Sequence, residues 1–183
     1  MLQSGKAIKS IEIIAVISSL LYTWLYLHSN PVCWYFAFLG AFLFLLLCIK
    51  KNILAEAFLQ FFYMVMAVYG FVNSNIVWQE HLWPLERHLL ILLFSIIGVV
   101  ISFFYLRSRT SSVLPLTDSF TTIFAISGTV LMVNMVHINW LYWIAVDAVS
   151  IYLYYNRGMK YAALLFVVYL AMALDGYFRL SIF

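Results

Sequence analysis

Polar residues are scarce along this 183-residue chain, and their positions divide it into seven apolar runs. These cover roughly residues 11–27, 33–49, 53–72, 88–106, 119–138, 140–155 and 160–178. About 20 apolar residues of helix cross the ~30 Å of hydrocarbon in a bilayer. Strands with open edges would leave backbone groups unpaired there, so each run is predicted to be a transmembrane helix. The connections at Asn30-Pro31 and His137-Asn139 are tight. The longest connection, NSNIVWQEHLWPLER (73–87), carries Trp78, Trp83 and the Pro84 break. It is expected to lie along the outer membrane surface rather than to make an eighth span.

Composition agrees with that pattern. Hydrophobic residues make up 66% of the chain and charged residues 9%, whereas soluble domains are nearer half apolar and a quarter charged. The chain is therefore read as an all-α integral membrane protein, and the bilayer is its first partner. A net charge of +3 is too small to suggest nucleic-acid binding. Placement of the charge says more. Lys6, Lys9, Lys50, Lys51, Arg107, Arg109, Arg157 and Lys160 fall on the side of the N-terminus, and only Arg87 and Arg179 on the other. This bias predicts a cytoplasmic N-terminus and an outward C-terminus. The first run is too long for a signal-peptide core and is expected to be retained. Cys33 and Cys48 sit at opposite ends of one run, about 22 Å apart if it is helical, which is too far for a disulfide.

Sliding the chain against itself by 106 residues aligns its landmarks without a gap. Glu12 falls on Asp118, Trp34 on Trp140, and the KKN turn (50–52) on the NRG turn (156–158). YMVMAVYGF (63–71) falls on YLAMALDGY (169–177). On a helical wheel Tyr63, Met66, Ala67 and Gly70 share an arc of about 100°, as do Tyr169, Met172, Ala173 and Gly176. Small residues on such a face let membrane helices approach closely. The expected layout is 3+1+3: parallel three-helix repeats at 11–72 and 119–178, joined by a linker helix at 88–106. This is a SWEET-like architecture, in which transporters bind substrate near the midplane between the halves.

The sixth run, NWLYWIAVDAVSIYLYY (139–155), is the one that carries candidate chemistry. Asn139, Trp140, Trp143, Asp147, Ser150 and Tyr154 share one face within about 100°, while Leu141, Ala145, Val149 and Leu153 are expected on the other. An ionised carboxylate facing lipid costs at least ~2.5–3.5 kcal/mol, so the polar face must look into protein or a wet cavity. Indole faces stack on aromatic rings and attract cations. Asn139 and Ser150 offer hydrogen bonds, and Asp147 can neutralise positive charge or accept from ribose hydroxyls. Structural alternatives are that Trp140 anchors at the interface and that Asp147 ties two helices together. Gln60, Tyr63 and Tyr169 are added as candidates lining a path. Glu12 and Asp118 are expected near helix N-termini as caps, and Asp175 in an i, i+4 ion pair with Arg179. No HExxH or CxxC motif suggests a metal, a cofactor or an enzyme.

WxxWxxxD at Trp140, Trp143 and Asp147 resembles the W-x-x-W-x-x-x-(N/D) signature of PnuC-type vitamin transporters. Glu12, the run ending Tyr69-Gly70-Phe71, and the 3+1+3 layout extend the resemblance over nearly the whole chain. Arg179-Leu180 stands where the family pattern would carry a tryptophan. The resemblance implies a facilitator of the bacterial inner membrane for nicotinamide riboside, trapped inside by phosphorylation. Thiamine is the alternative cargo, since it too carries a ring cation, and neutral riboflavin gains less from Asp147. A non-transporting membrane sensor or partner is the alternative outside transport. Association into a homo-oligomer is compatible with the sequence.

Overall fold

The computed structural model describes residues 5–50, 54–76, 81–109, 113–156, 160–180 and 182–183. Among them are seven helices and no strand: α1 (Gly5–Leu27), α2 (Cys33–Lys50), α3 (Leu54–Ile76), α4 (Leu85–Arg109), α5 (Pro115–Val133), α6 (Asn139–Asn156) and α7 (Lys160–Phe178). Lys51, Asn52, Arg157 and Gly158 of the expected KKN and NRG turns lie outside the described residues, as do Trp78 and the side chains of Lys6 and Lys9. Stretches of α1, α2, α4 and α5 are long and apolar enough to cross a bilayer. Helix α6 has span length but is less apolar, because Asn, Trp, Tyr, Asp and Ser occupy positions that aliphatic residues would fill.

The chain forms two compact units, Met1–Trp78 with α1–α3 and Gln79–Phe183 with α4–α7. In the first, α2 packs on both α1 and α3. In the second, α6 packs on both α5 and α7, and α4 packs on α5.

The tight turns end their helices in the same way. After α1, Ser29 has φ 52°, its N–H donates to Tyr26 O (2.9 Å), and Asn30 N–H donates to Leu25 O (2.9 Å). After α5, Met135 has φ 54°, its N–H donates to Met132 O (3.0 Å), and Val136 N–H donates to Leu131 O (3.0 Å). Each is a Schellman cap, in which one left-handed residue satisfies the last carbonyls of the helix. Left-handed backbone costs a residue with a Cβ about 1–2 kcal/mol, and it is retained here at positions 106 apart. The next helix then starts through matched bonds: Cys33 N–H to Asn30 O and Trp34 N–H to Pro31 O, against Asn139 N–H to Val136 O and Trp140 N–H to His137 O. Helix α5 therefore stops at Val133, earlier than the apolar run to 138 suggested, because residues 134–138 make this turn.

Each turn delivers an indole onto a glycine. A Cβ on Gly70 of α3 would come within 2.7–2.8 Å of the Trp34 ring, and one on Gly176 of α7 would overlap Cε2, Cδ2 and Cζ2 of Trp140. Both indoles are buried, as are Ala67 and Ala173 one turn away on the same helix faces. Glycine is needed at these two sites because only its bare Cα lets the helix meet the flat ring.

Two expectations change. Glu12 is the eighth residue of α1 and exposed, so it caps nothing, whereas Asp118 does lie in the first turn of α5. The Asp175 carboxylate accepts the backbone N–H groups of Ile182 (3.1 and 3.2 Å) and Phe183 (3.1 Å), so it holds the chain that follows α7. Of the 73–87 connection, residues 81–84 are non-helical, and Leu82 is exposed. His81 N–H donates to Met135 O (3.0 Å), which ties this segment to the α5–α6 turn.

Replacing Gly176 by Ala should lower stability by about 1–3 kcal/mol through overpacking against Trp140. Gly98→Ala, whose Cβ would meet Ile123 Cγ2 at 3.0 Å, a longer approach than at Gly176, should cost less. Thermal unfolding of purified protein in detergent compares the two, and an unchanged midpoint for Gly176→Ala would contradict the packing described.

Candidate functional site

Helix α6 buries most of the polar residues of its candidate face. Asn139, Trp140, Asp147 and Ser150 are buried, together with Val146 and Leu153. Leu141 is exposed as expected, but Leu153 is not. The buried arc is centred nearer Ser150 than the wheel placed it, which brings Leu153 inside. Trp143 and Tyr154 are partly covered.

The members of this face are held in different ways. Asn139 begins α6, and its Nδ2 donates to Val136 O (2.7 Å), so this amide also braces the turn. Trp140 is fixed by Gly176 beneath it. Trp143 lies against α5, with Cε2 and Nε1 each 3.5 Å from where a Cβ on Gly128 would sit. Its buried indole N–H has no hydrogen-bond partner among the described residues. Asp147 is 3% exposed. Among the described residues, no hydrogen-bond donor and no charged group acts on its carboxylate.

Neighbouring side chains shape the surroundings. Tyr142 packs beside Phe124 of α5 (5.4 Å between centroids). The Ser95 hydroxyl of α4 meets Ser127 of α5 at 2.7 Å, a polar contact between those two helices. Tyr154 stacks on Phe166 of α7 (5.0 Å), and Phe166 meets Tyr169 edge-on (6.0 Å). At the start of α6, His137 stacks on Tyr177 (5.6 Å), and its Nε2–H donates to Tyr177 O (3.1 Å).

The structure thus brings Asn139, Trp140, Trp143, Asp147 and Ser150 onto one buried face and places Tyr169 on the adjoining α7. Gln60 and Tyr63 are half-buried on α3 in the first unit. Sequence reasoning missed Gly128 and the Ser95–Ser127 contact. Gly128 had a signal: it stands where the 106-residue offset puts Tyr22.

Where the two units share a residue type, the fold needs it; where they differ, function has room. Trp34 and Trp140, Ala67 and Ala173, and Gly70 and Gly176 match. At the same offset Ala37 becomes Trp143, Ala41 becomes Asp147, Phe44 becomes Ser150 and Tyr69 becomes Asp175. The departures on α6 fall on the candidate face. In the first unit the corresponding region is aromatic and apolar. Trp34 lies 5.8 Å from Tyr22 and 5.9 Å from Tyr26. An apolar groove of about 250 Å³ is lined by Trp34, Tyr35, Phe38, Ala67, Val68 and Phe71.

Comparison with solved structures finds the crystal structure of the vitamin B3 transporter PnuC, with a TM-score of 0.74 and 19% identity over 92% of this chain and 79% of that one. At that identity the likeness concerns the fold. No curated protein sequence matches the chain. The family model described as "nicotinamide mononucleotide transporter" matches residues 9–180. The chain accordingly belongs to the nicotinamide mononucleotide transporter family of multi-pass membrane proteins, which are transporters and not enzymes.

Proposed function

We propose that this chain is a facilitator that carries nicotinamide riboside across the bacterial inner membrane, where cytoplasmic phosphorylation traps it. The observation that carries the reading is the buried α6 face, with two indoles and a carboxylate that has no partner among the described residues. The pyridinium ring of the riboside is flat and cationic. Stacking on Trp143 and Trp140 suits its shape, and Asp147 suits its charge. Asn139 and Ser150 suit the amide and ribose hydroxyls, and Tyr169, Gln60 and Tyr63 are proposed to contribute along the path.

Charge separates the riboside from its mononucleotide. A phosphate needs Arg, Lys or a helix N-terminus, and among the described residues every Lys and Arg lies near a helix end, away from the middle of α6. A phosphate near Asp147 would meet a like charge instead. Thiamine, with its thiazolium cation and no phosphate, is the second reading favoured by the same carboxylate.

The SWEET-like 3+1+3 layout is part of the proposal, with 11–72 and 119–178 as parallel copies and 88–106 as linker. It is supported by the two Schellman turns and the two tryptophan–glycine contacts, each recurring at an interval of 106. The distribution of Lys and Arg supports a cytoplasmic N-terminus and an outward C-terminus.

The decisive measurement is uptake of labelled compounds into proteoliposomes without an energy source. Nicotinamide riboside should equilibrate and its mononucleotide should not. Entry of thiamine alone would select the second reading, and exclusion of both cations would end the proposal. Asp147→Ala should weaken riboside binding about 10- to 100-fold, the loss of a charge-assisted contact worth about 1.5–3 kcal/mol. Quenching of tryptophan fluorescence reads this, and unchanged affinity would remove Asp147 from the site.

A further inference from the structure

Among the described residues three indoles lie against a glycine, and one of these contacts is not repeated. Trp34 on Gly70 and Trp140 on Gly176 recur at the 106-residue interval, whereas Trp143 on Gly128 occurs in the second unit alone. At the equivalent positions the first unit has Tyr22 and Ala37. The large ring therefore comes from the first helix of the hairpin in one unit and from the second helix in the other. Tyr22 lies among the aromatics of its own unit, 5.8 Å from Trp34 and 6.3 Å from Tyr26 between ring centroids. In the second unit Gly128 and Met132 stand in place of those two tyrosines.

Glycine inside a helix is disfavoured relative to alanine. Gly128 is buried within α5, where no turn or cap calls for it. The close approach of α6 does. A Cβ at 128 would stand 3.2 Å from Tyr142 Cβ and 3.5 Å from Cε2 and Nε1 of Trp143. The first distance is inside the ~3.5–4.0 Å at which carbon atoms attract best, so a methyl group there would push this turn of α6 away from α5. No hydrogen bond competes with the contact. The indole N–H of Trp143 is buried and has no acceptor among the described residues. Shape, not a polar bond, thus sets how deep the ring lies and how it is turned.

We propose that Gly128 is a positioning residue of the cargo site. Its bare Cα seats the nitrogen edge of the Trp143 indole on α5 and so fixes the plane on which the flat ring of the cargo stacks. Carrying the ring on the second helix puts a stacking surface one turn from Asp147 on the same helix face, and glycine on the first helix makes room for it. Stacked rings are sensitive to offset and separation, and a binding group must be held within about 0.5 Å of its productive place. Gly128 touches no cargo itself; it acts through Trp143. The inference rests on the transport reading above, and the same titration tests the two separately.

Calorimetric titration of nicotinamide riboside into purified protein compares the parent chain, Gly128→Ala, Trp143→Phe and the two changes together. Phenylalanine keeps a flat ring but lacks the pyrrole edge that meets Gly128. Gly128→Ala should weaken binding about three- to tenfold in the parent and less than about twofold in the Trp143→Phe background. An equal loss in both backgrounds would show that Gly128 acts through the fold at large, and would overturn the assignment while leaving transport intact. Absence of riboside binding to the parent chain would overturn the transport reading, and the assignment with it. A second pair of variants keeps the test decisive if Gly128→Ala does not fold. Gly128→Tyr alone should unfold well below the parent on heating, and Gly128→Tyr with Trp143→Ala, which restores the pairing of the first unit, should unfold close to it. A double variant no more stable than Gly128→Tyr would overturn the exchange of rings between the helices, and the seat for Trp143 with it.

Discussion

An indole lying flat on the bare Cα of a glycine is the contact around which each unit is organised. In a bilayer, helices gain little from burying apolar surface against one another, since lipid is equally apolar. What holds them is close packing, and a tryptophan ring on a glycine supplies a large area at short range. Trp34 on Gly70 and Trp140 on Gly176 each join the second helix of a unit's hairpin to the helix that follows. The left-handed residues Ser29 and Met135 make those contacts reachable. They close each helix tightly enough that the tryptophan five residues later points at the glycine.

That shared frame lets the differences between the units be interpreted. Packing tolerates Ala at 37 and 41 and Phe at 44 in the first unit, so Trp143, Asp147 and Ser150 are not demanded by the turn or by the indole–glycine contact. They make α6 less apolar than its neighbours and enclose a carboxylate that has no partner among the described residues. A membrane protein carries such a residue at the expense of stability, which is why intramembrane ionisable groups mark function. The departure at Tyr69/Asp175 serves a different purpose: Asp175 gathers two backbone amides beyond α7, next to the glycine on which Trp140 rests.

Charge gives the site its chemical direction. Among the described residues the basic side chains lie near helix ends, and α6 is acidic and aromatic in its interior. On the proposed reading, such a face suits a flat organic cation better than a phosphate.

Much of this was legible in the chain itself, because the bilayer imposes strict rules. Seven apolar runs became seven helices since unpaired backbone is untenable in lipid, and the 106-residue offset was visible because Trp, Gly and Ala recur in register. The polar face of α6 followed from helical periodicity alone. Tertiary structure decided what periodicity cannot reach. It turned Leu153 inward with the polar strip, ended α5 at Val133, gave the Asp175 carboxylate to backbone amides, and set Gly128 against Trp143. Each depends on which neighbour occupies the space beside a side chain. A wheel drawn from one helix gives direction without distance, so those partners were settled only when the helices packed.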